Sequence, residues 1–270
     1  MIDKYAAIIT VAGISSRFNQ GFDEEGSVLK AIYTESAWDD TLLARMVFKC
    51  SSAERIIIVG GYRYEDLKQY INGNFPFEVR KKIDLIYNKH FADLASGYSL
   101  YLGIERAIKN NTIDNIIFAE GDLDVDDISF ENVKKSEKSV ITYNNRQIYS
   151  NKAVICYCNS EGRYKYAFST EHGLVRIAEP FSHIMNSGQI WKFTDIGILK
   201  EVASAFINNT PEETNLKIIQ DYFDTLPVGN IELVPLERWT NCNTRNDYKS
   251  IFTTREVKEG EKYSGKTLQI

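Results

Sequence analysis

Short apolar runs closed by glycine or polar residues recur through the first half of the chain, with amphipathic stretches between them. Ala6 to Val11 is apolar at nearly every position, the pattern of a strand buried on both faces rather than one alternating between core and water. Arg55 to Gly60, Ile83 to Tyr87 and Asn115 to Ala119 repeat it, and helices are predicted at Tyr64 to Ile71 and Ser96 to Lys109. Such alternation needs crossover connections, so this half reads as α/β, with a mostly parallel twisted sheet and helices on both faces.

The rhythm changes after Asp126. Short β-rich runs follow at Ser139 to Tyr143, Ala153 to Cys158 and Tyr164 to Ser169, and the last, with Leu174 to Ala178, reads as a hairpin turning at Gly173. Helical patterns return at Ile196 to Asn208 and at Pro211 to Leu226, with Thr210 as the expected cap and Pro211 in the first helical position. A last strand is predicted at Asn230 to Pro235. The expectation is one α/β domain over 1–254 carrying a β-rich insertion, then a polar, loosely held tail over 255–270.

Composition narrows the function. Hydrophobic residues at 43%, charged residues at 26% and 5 prolines fit an ordinary folded protein and exclude collagenous, disordered and repeat classes. A net charge of -5 argues against a nucleic-acid partner, so any anion site must be focal. The chain opens almost directly into its first strand, shows no export-signal pattern and has no run of about 20 apolar residues; a cytoplasmic protein without a membrane partner is expected. Cys50, Cys156, Cys158 and Cys242 lack C-x-x-C spacing and read as buried thiols, and His90, His172 and His183 are too scattered to suggest a catalytic arrangement.

Three polar clusters could carry chemistry. The first strand ends in Ala12, Gly13, Ser15, Ser16 and Arg17, with Lys30 downstream: glycine allows close backbone approach, the serines can cap a turn whose N–H groups favour an anion, and the two cations suit phosphate oxygens. Neither a P-loop nor a G-x-G-x-x-G sequence is present. Asp122, Asp124, Asp126 and Asp127 crowd the end of a predicted strand, where ligands collect in open α/β sheets. Asp122 and Asp124 are candidate Mg²⁺ ligands; Asp126 and Asp127 read better as caps of the following element. Asp93 to Leu100 opens a helix, with Asp93 or Ser96 as its cap and Ser99 one turn in, able to read a base edge.

The order of these motifs resembles the nucleotidyltransferase superfamily, which includes sugar-phosphate nucleotidylyltransferases, molybdenum-cofactor nucleotidyltransferases and phosphocholine-type and phosphonate cytidylyltransferases. Ala12-Gly13-Ile14-Ser15-Ser16-Arg17-Phe18 with Lys30 is similar to its opening A-G-x-x-S-R-[FLM], and Gly61-Tyr62 to its G-Y after the second strand. Ser99-Leu100-Tyr101-Leu102-Gly103, preceded by Tyr87-Asn88, resembles its S-L-x-x-[AG] helix start; Gly121-Asp122 resembles its metal-binding turn, and Asn241-Cys242-Asn243-Thr244-Arg245-Asn246-Asp247 its N-x-[DN]-T-x-x-D ending. The resemblance covers roughly residues 6 to 250.

It implies a Rossmann-like nucleotide-diphospho-sugar transferase architecture. It also implies that Arg17, Lys30 and Asp122 serve the reaction, with Ala12, Gly13, Ser15, Ser16, Gly61, Ser96, Gly97 and Ser99 around the nucleoside triphosphate. Asp122, Asp124 and Asn243 would contact Mg²⁺. The middle of the chain, including Gly188 to Phe193, would face the acceptor. Leu29 stands where the family usually has Pro, Asp23 to Glu25 place carboxylates inside the loop, and Glu179-Pro180 lacks the family's acceptor-side Lys, a role then expected of Lys192 beside Trp191. The leading expectation is a Mg²⁺-dependent cytidylyltransferase acting on CTP and a small phosphorylated or phosphonate acceptor. A sugar 1-phosphate acceptor, a glycosyltransferase using Asp122-x-Asp124, and a non-catalytic nucleotide-binding module remain open, as does a homo-oligomer.

Overall fold

The computed structural model of the chain describes residues 4–109 and 113–251. The first half carries β1 (Tyr5–Val11), α1 (Leu42–Lys49), β2 (Arg55–Gly60), α2 (Tyr64–Asn74), α3 (Phe77–Arg80), β3 (Ile83–Tyr87), α4 (Ser96–Ile108) and β4 (Asn115–Glu120). The second carries β5 (Leu123–Val125), α5 (Asp127–Lys135), β6 (Ser139–Asn144), β7 (Ile155–Asn159), β8 (Tyr164–Ala167), β9 (Phe181–Phe193), α6 (Ile196–Asn209), α7 (Asn215–Thr225), β10 (Ile231–Pro235) and β11 (Trp239–Asn241).

The main sheet runs β10-β6-β9-β4-β1-β2-β3. Strands β3, β2, β1 and β4 are parallel neighbours, as their mostly apolar runs suggested, and β9 enters antiparallel between β4 and β6. Alternate residues of β1 supply two cores. Ala7 and Ile9 pack with Leu43 and Val47 of α1, Leu67 of α2 and Phe130 of α5. Ala6 and Ile8 pack with Leu100 of α4, Phe206 of α6 and Ile219 of α7. Helices therefore cover both faces, as expected, and each fully buried Ile contributes on the order of 2 kcal/mol. Among the described residues no helix is long and apolar enough to cross a membrane.

Several local expectations change. Leu174 to Ala178 forms no strand: Leu174 is 82% exposed, and β8 pairs instead with β7 around a turn at Gly162, whose φ of +77° suits glycine. The other neighbour of β7 is the first half of β9. The second late helix starts at Asn215 with Thr214 as its N-cap, whereas Thr210 closes α6 and residues 211–213 form the turn between them. Asp126 caps α5, its side chain accepting from Ser129 N at 2.8 Å, as the sequence suggested. The expected tail at 255–270 lies outside the described residues.

Candidate active site

Parallel strands bring their carboxyl ends to one edge, and the site lies there. Gly121 follows β4 and rests on β1, where a Cβ would lie 2.3 Å from Val11 Cγ1 and 2.9 Å from Thr10 O. Glycine at this point lets Asp122 stand directly over the end of β1. One carboxylate oxygen, Oδ2, accepts from Lys30 Nζ at 2.6 Å. The other, Oδ1, is buried and has no hydrogen-bond partner among the described residues. The cleft in front of it, about 120 Å³, is bordered by Thr10, Gly13, Ser15, Lys30 and Glu120.

That orphaned oxygen fits a hard divalent cation. Among the described residues no cluster of three or more His, Cys, Asp or Glu could hold a metal alone. A single carboxylate with one unpartnered oxygen has the chemistry of a hard-cation ligand that needs further oxygen donors, not of a closed protein cage.

The loop after β1 is built to present cations. Ser15 takes a left-handed φ of 55°, and Lys30 N approaches its Oγ at 3.4 Å, so the two ends of the loop meet. Asn19 closes the base by exchanging hydrogen bonds with the backbone of Val28 at 2.9 and 3.0 Å. Phe18 is buried beneath, and Arg245 lies over the rings of Phe18, Phe22 and Tyr33, 4.4, 4.9 and 3.9 Å from their centroids. Ser16 and Arg17 are exposed. The acidic residues do not face the cleft: Asp23 accepts from Gly26 N at 2.8 Å, Arg63 holds the Glu24 carbonyl at 2.8 Å, and Glu24 and Glu25 point to solvent.

The opposite wall comes from late sequence. β11 pairs antiparallel with β5, and Cys242 N donates to Asp122 O at 2.8 Å. A helical segment at 245–251 then starts from a capping box in which Asp247 Oδ2 accepts from Thr244 N at 2.7 Å and Thr244 Oγ1 accepts from Asp247 N at 3.2 Å. Asn243 accepts from Arg17 Nη2 at 2.9 Å. Glu120, next to the cleft, accepts from Asn215 Nδ2 at 2.8 Å and Gln189 Nε2 at 2.9 Å. Burial first, then the Asp122 charge, raise the Glu120 carboxyl above its ordinary range, against the pull of Asn215 and Lys30.

Comparison with known proteins places this geometry. Residues 26–255 match a protein family described as "Domain of unknown function (DUF6564)". The chain belongs to the DUF6564 family. No curated protein sequence matches it. In fold this DUF6564 chain is similar to the inositol-1-phosphate CTP transferase of T. maritima, with 18% identity and a TM-score of 0.64 over 91% of each chain. It is also similar to the CTP:phosphocholine cytidylyltransferase of Streptococcus pneumoniae, with 16% identity and a TM-score of 0.59 over 92% of this chain and 97% of that one. A third likeness, with 14% identity and a TM-score of 0.61 over 91% and 93%, is to a candidate glucose-1-phosphate thymidylyltransferase from Bacillus anthracis. The DUF6564 chain therefore has the nucleotidyltransferase fold, the mostly parallel α/β architecture expected from its motifs.

Not every expected residue of the DUF6564 site reaches the cleft. Asp124 is 2% exposed and turns to Arg45, at 3.2 Å, and to Arg238; two guanidiniums occupy its oxygens, so it is a buried counter-ion and not a metal ligand. Trp191 is fully buried in the centre of the sheet, stacked on Phe118, with its Nε1 donating to Tyr166 Oη at 2.6 Å. Lys192, on the other face of β9, donates to the carbonyls of Lys134 and Ser136 at 2.9 and 2.6 Å, closing the carboxyl end of α5. Neither can touch an acceptor.

Asn243 spends both side-chain atoms on Arg17 and Asn241, which displaces it from the metal role. Ser99 is buried against Asn88 Nδ2 at 2.9 Å, and a Cβ on Gly97 would meet Glu213 O at 2.4 Å, so both serve packing. Neither Asp93 nor Ser96 caps α4. Asp93 pairs with His90, and Ser96 Oγ accepts from Asn215 N at 3.1 Å. Gly61 packs on Phe91 and on the Ala12 carbonyl, which also accepts from Tyr62 N at 3.0 Å; both residues brace the loop from below.

Sequence reasoning missed Glu120, Gln189 and Asn215 as parts of this wall. Glu120 stood in plain view two residues before Asp122, but Gln189 lies in a bulge of β9 over 188–190, where the pairing with β6 shifts register.

Proposed function

We propose that this chain is a Mg²⁺-dependent nucleotidyltransferase. It moves a nucleoside monophosphate, CMP from CTP by preference, to a small phosphate or phosphonate acceptor and releases pyrophosphate. The observation that carries the reading is Asp122: one oxygen on Lys30, the other buried and orphaned, at the mouth of a cationic loop on the strand-end edge. The fold shared with two CTP-using transferases supports it and favours CTP.

Asp122 would hold Mg²⁺, which supplies charge neutralisation among the phosphates when bound. The loop from Gly13 to Arg17 supplies backbone N–H groups and a guanidinium to the triphosphate, and Lys30 reaches it by leaving Asp122 Oδ2. The acceptor is already anionic near neutral pH and attacks the α-phosphorus in line with departing pyrophosphate, so no general base is needed. The thiols of Cys50, Cys156 and Cys242 do not compete as nucleophiles, because burial pushes them up to about 12. With Asp124 locked between Arg45 and Arg238, the D-x-D pattern of a glycosyltransferase is not assembled.

The test is pyrophosphate release from each nucleoside triphosphate with Mg²⁺ and a panel of phosphorylated small molecules, sugar 1-phosphates included. CTP with a phospho-alcohol or phosphonate should turn over best, and Asp122→Asn should slow it by about 100-fold or more. Consumption of a nucleotide sugar without pyrophosphate release overturns the proposal, and nucleotide binding without turnover of any acceptor reduces it to a binding module.

A further inference from the structure

Five side chains from four distant stretches form an unbranched file of hydrogen bonds beside the cleft. Arg17 Nη2 donates to Asn243 Oδ1 at 2.9 Å, Asn243 Nδ2 to Asn241 Oδ1 at 2.8 Å, Asn241 Nδ2 to Gln189 Oε1 at 2.8 Å, and Gln189 Nε2 to Glu120 Oε2 at 2.9 Å. A carboxamide can sit either way round; here the ends decide. A guanidinium only donates, and each oxygen of Glu120 receives an amide nitrogen, so each amide of the file turns its oxygen toward Arg17 and its nitrogen toward Glu120. Asn215 Nδ2, 2.8 Å from the other oxygen of Glu120, stops that carboxylate from rotating away. Gln189 is held in the file by the β9 bulge at a left-handed φ of 58°, a conformation uncommon outside glycine.

We propose that Glu120 is a positioning residue for Arg17: by fixing the polarity of the three amides it presents an amide oxygen, Asn243 Oδ1, to the guanidinium. A carboxylate at 243 would hold Arg17 at least as firmly but would neutralise it. An amide oxygen orients the cation and leaves its charge for an anion. Among the described residues Arg17 forms no ion pair. Glu120 thus acts on the phosphate side of the cleft from the far end of the file.

Glu120→Gln tests this. It keeps the shape but can offer Gln189 either an oxygen or an NH₂ group, so this end no longer fixes the polarity and the file can reverse, turning the Asn243 NH₂ onto Arg17. The first measurement uses the free protein: side-chain amide protons of Asn241, Asn243 and Gln189, followed by nitrogen-15 NMR, should exchange about tenfold faster in the variant or split into two sets. The second, which rests on the nucleotide reading of the loop, is calorimetric titration with CTP and Mg²⁺. Binding should weaken by up to about tenfold, the loss of one charge-assisted hydrogen bond.

A purely electrostatic role for Glu120 predicts the reverse: removing a negative charge tightens CTP. Asn241→Ala cuts the file without touching a charge and should show the same loss. Unchanged amide exchange in E120Q overturns the proposal, as does unchanged or tighter CTP binding in E120Q and in Asn241→Ala. If the parent protein binds none of the four nucleoside triphosphates, the nucleotide reading fails, and the amide measurement still decides the role of Glu120.

Discussion

Replacing Asp124 by Asn removes the carboxylate shared by two half-buried guanidiniums, of which Arg45 keeps its ion pair with Asp40. Arg45 and Arg238 are 16% and 17% exposed in their side chains, and both aim at a carboxylate that is 2% exposed. At an effective dielectric near 20, a charge pair at the 3.2 Å of the Arg45 contact is worth about 5 kcal/mol before desolvation is counted. Measured losses on removing one partner of such a pair are about 3–5 kcal/mol. The Asn oxygen still accepts one hydrogen bond, returning about 1 kcal/mol, so a net loss of about 3 kcal/mol is expected. At this chain length that lowers the melting temperature by roughly 6 °C. Thermal and urea unfolding followed by circular dichroism measure it, and CTP affinity per folded molecule should stay within about twofold, a change under about 0.5 kcal/mol. A variant that melts like the parent while losing Mg²⁺-dependent pyrophosphate release would refute the assignment and return Asp124 to the metal site.

Lys192→Met removes the donor that closes α5 and leaves the carbonyls of Lys134 and Ser136 short of a partner. Urea unfolding should show a loss of about 1–3 kcal/mol with an unchanged acceptor KM; a raised KM at unchanged stability would make Lys192 an acceptor ligand after all. Asp84 is linked to acid stability. Burial alone would raise its carboxyl, but hydrogen bonds and charge from Arg106 and Arg55 hold it below its ordinary value. The stability this adds is full above the unfolded pKa of about 3.9 and is lost as pH falls through the lower folded value. Asp84→Asn should therefore melt lower than the parent near neutral pH and lose less on acidification below about pH 4; parallel curves would remove Asp84 from the account.

The parallel half of the fold was legible because its central strands β1, β2 and β4 are buried on both faces, and apolar runs such as that within Arg55–Gly60 announce themselves. Helix α1 went unread because Leu42–Lys49 is short and its Thr41 cap, which accepts from Ala44 N at 3.0 Å, lies in an otherwise irregular stretch. The loop cations and Asp122 were readable from residue type at strand ends. Trp191 and Lys192 were misplaced for a physical reason: a polar residue in a late strand looks available, and only the insertion of β9 between β4 and β6 reveals both faces as interior. Asp124 was misread likewise, since its partners Arg45 and Arg238 lie far off in sequence.

The pairing of β11 with β5 has a bearing on how the protein is made. Asp122 O waits for Cys242 N, and Arg17 waits for Asn243, so an N-terminal loop and a mid-chain turn are completed by residues synthesised more than a hundred positions later. A nascent chain that has emerged only as far as β9 can already join β1, β2, β3 and β4 into their sheet. Its Arg17 would swing without an anchor, so the candidate site is assembled after its scaffold, and a product that stops short of Trp239 would fold in part and lack the wall that holds Arg17.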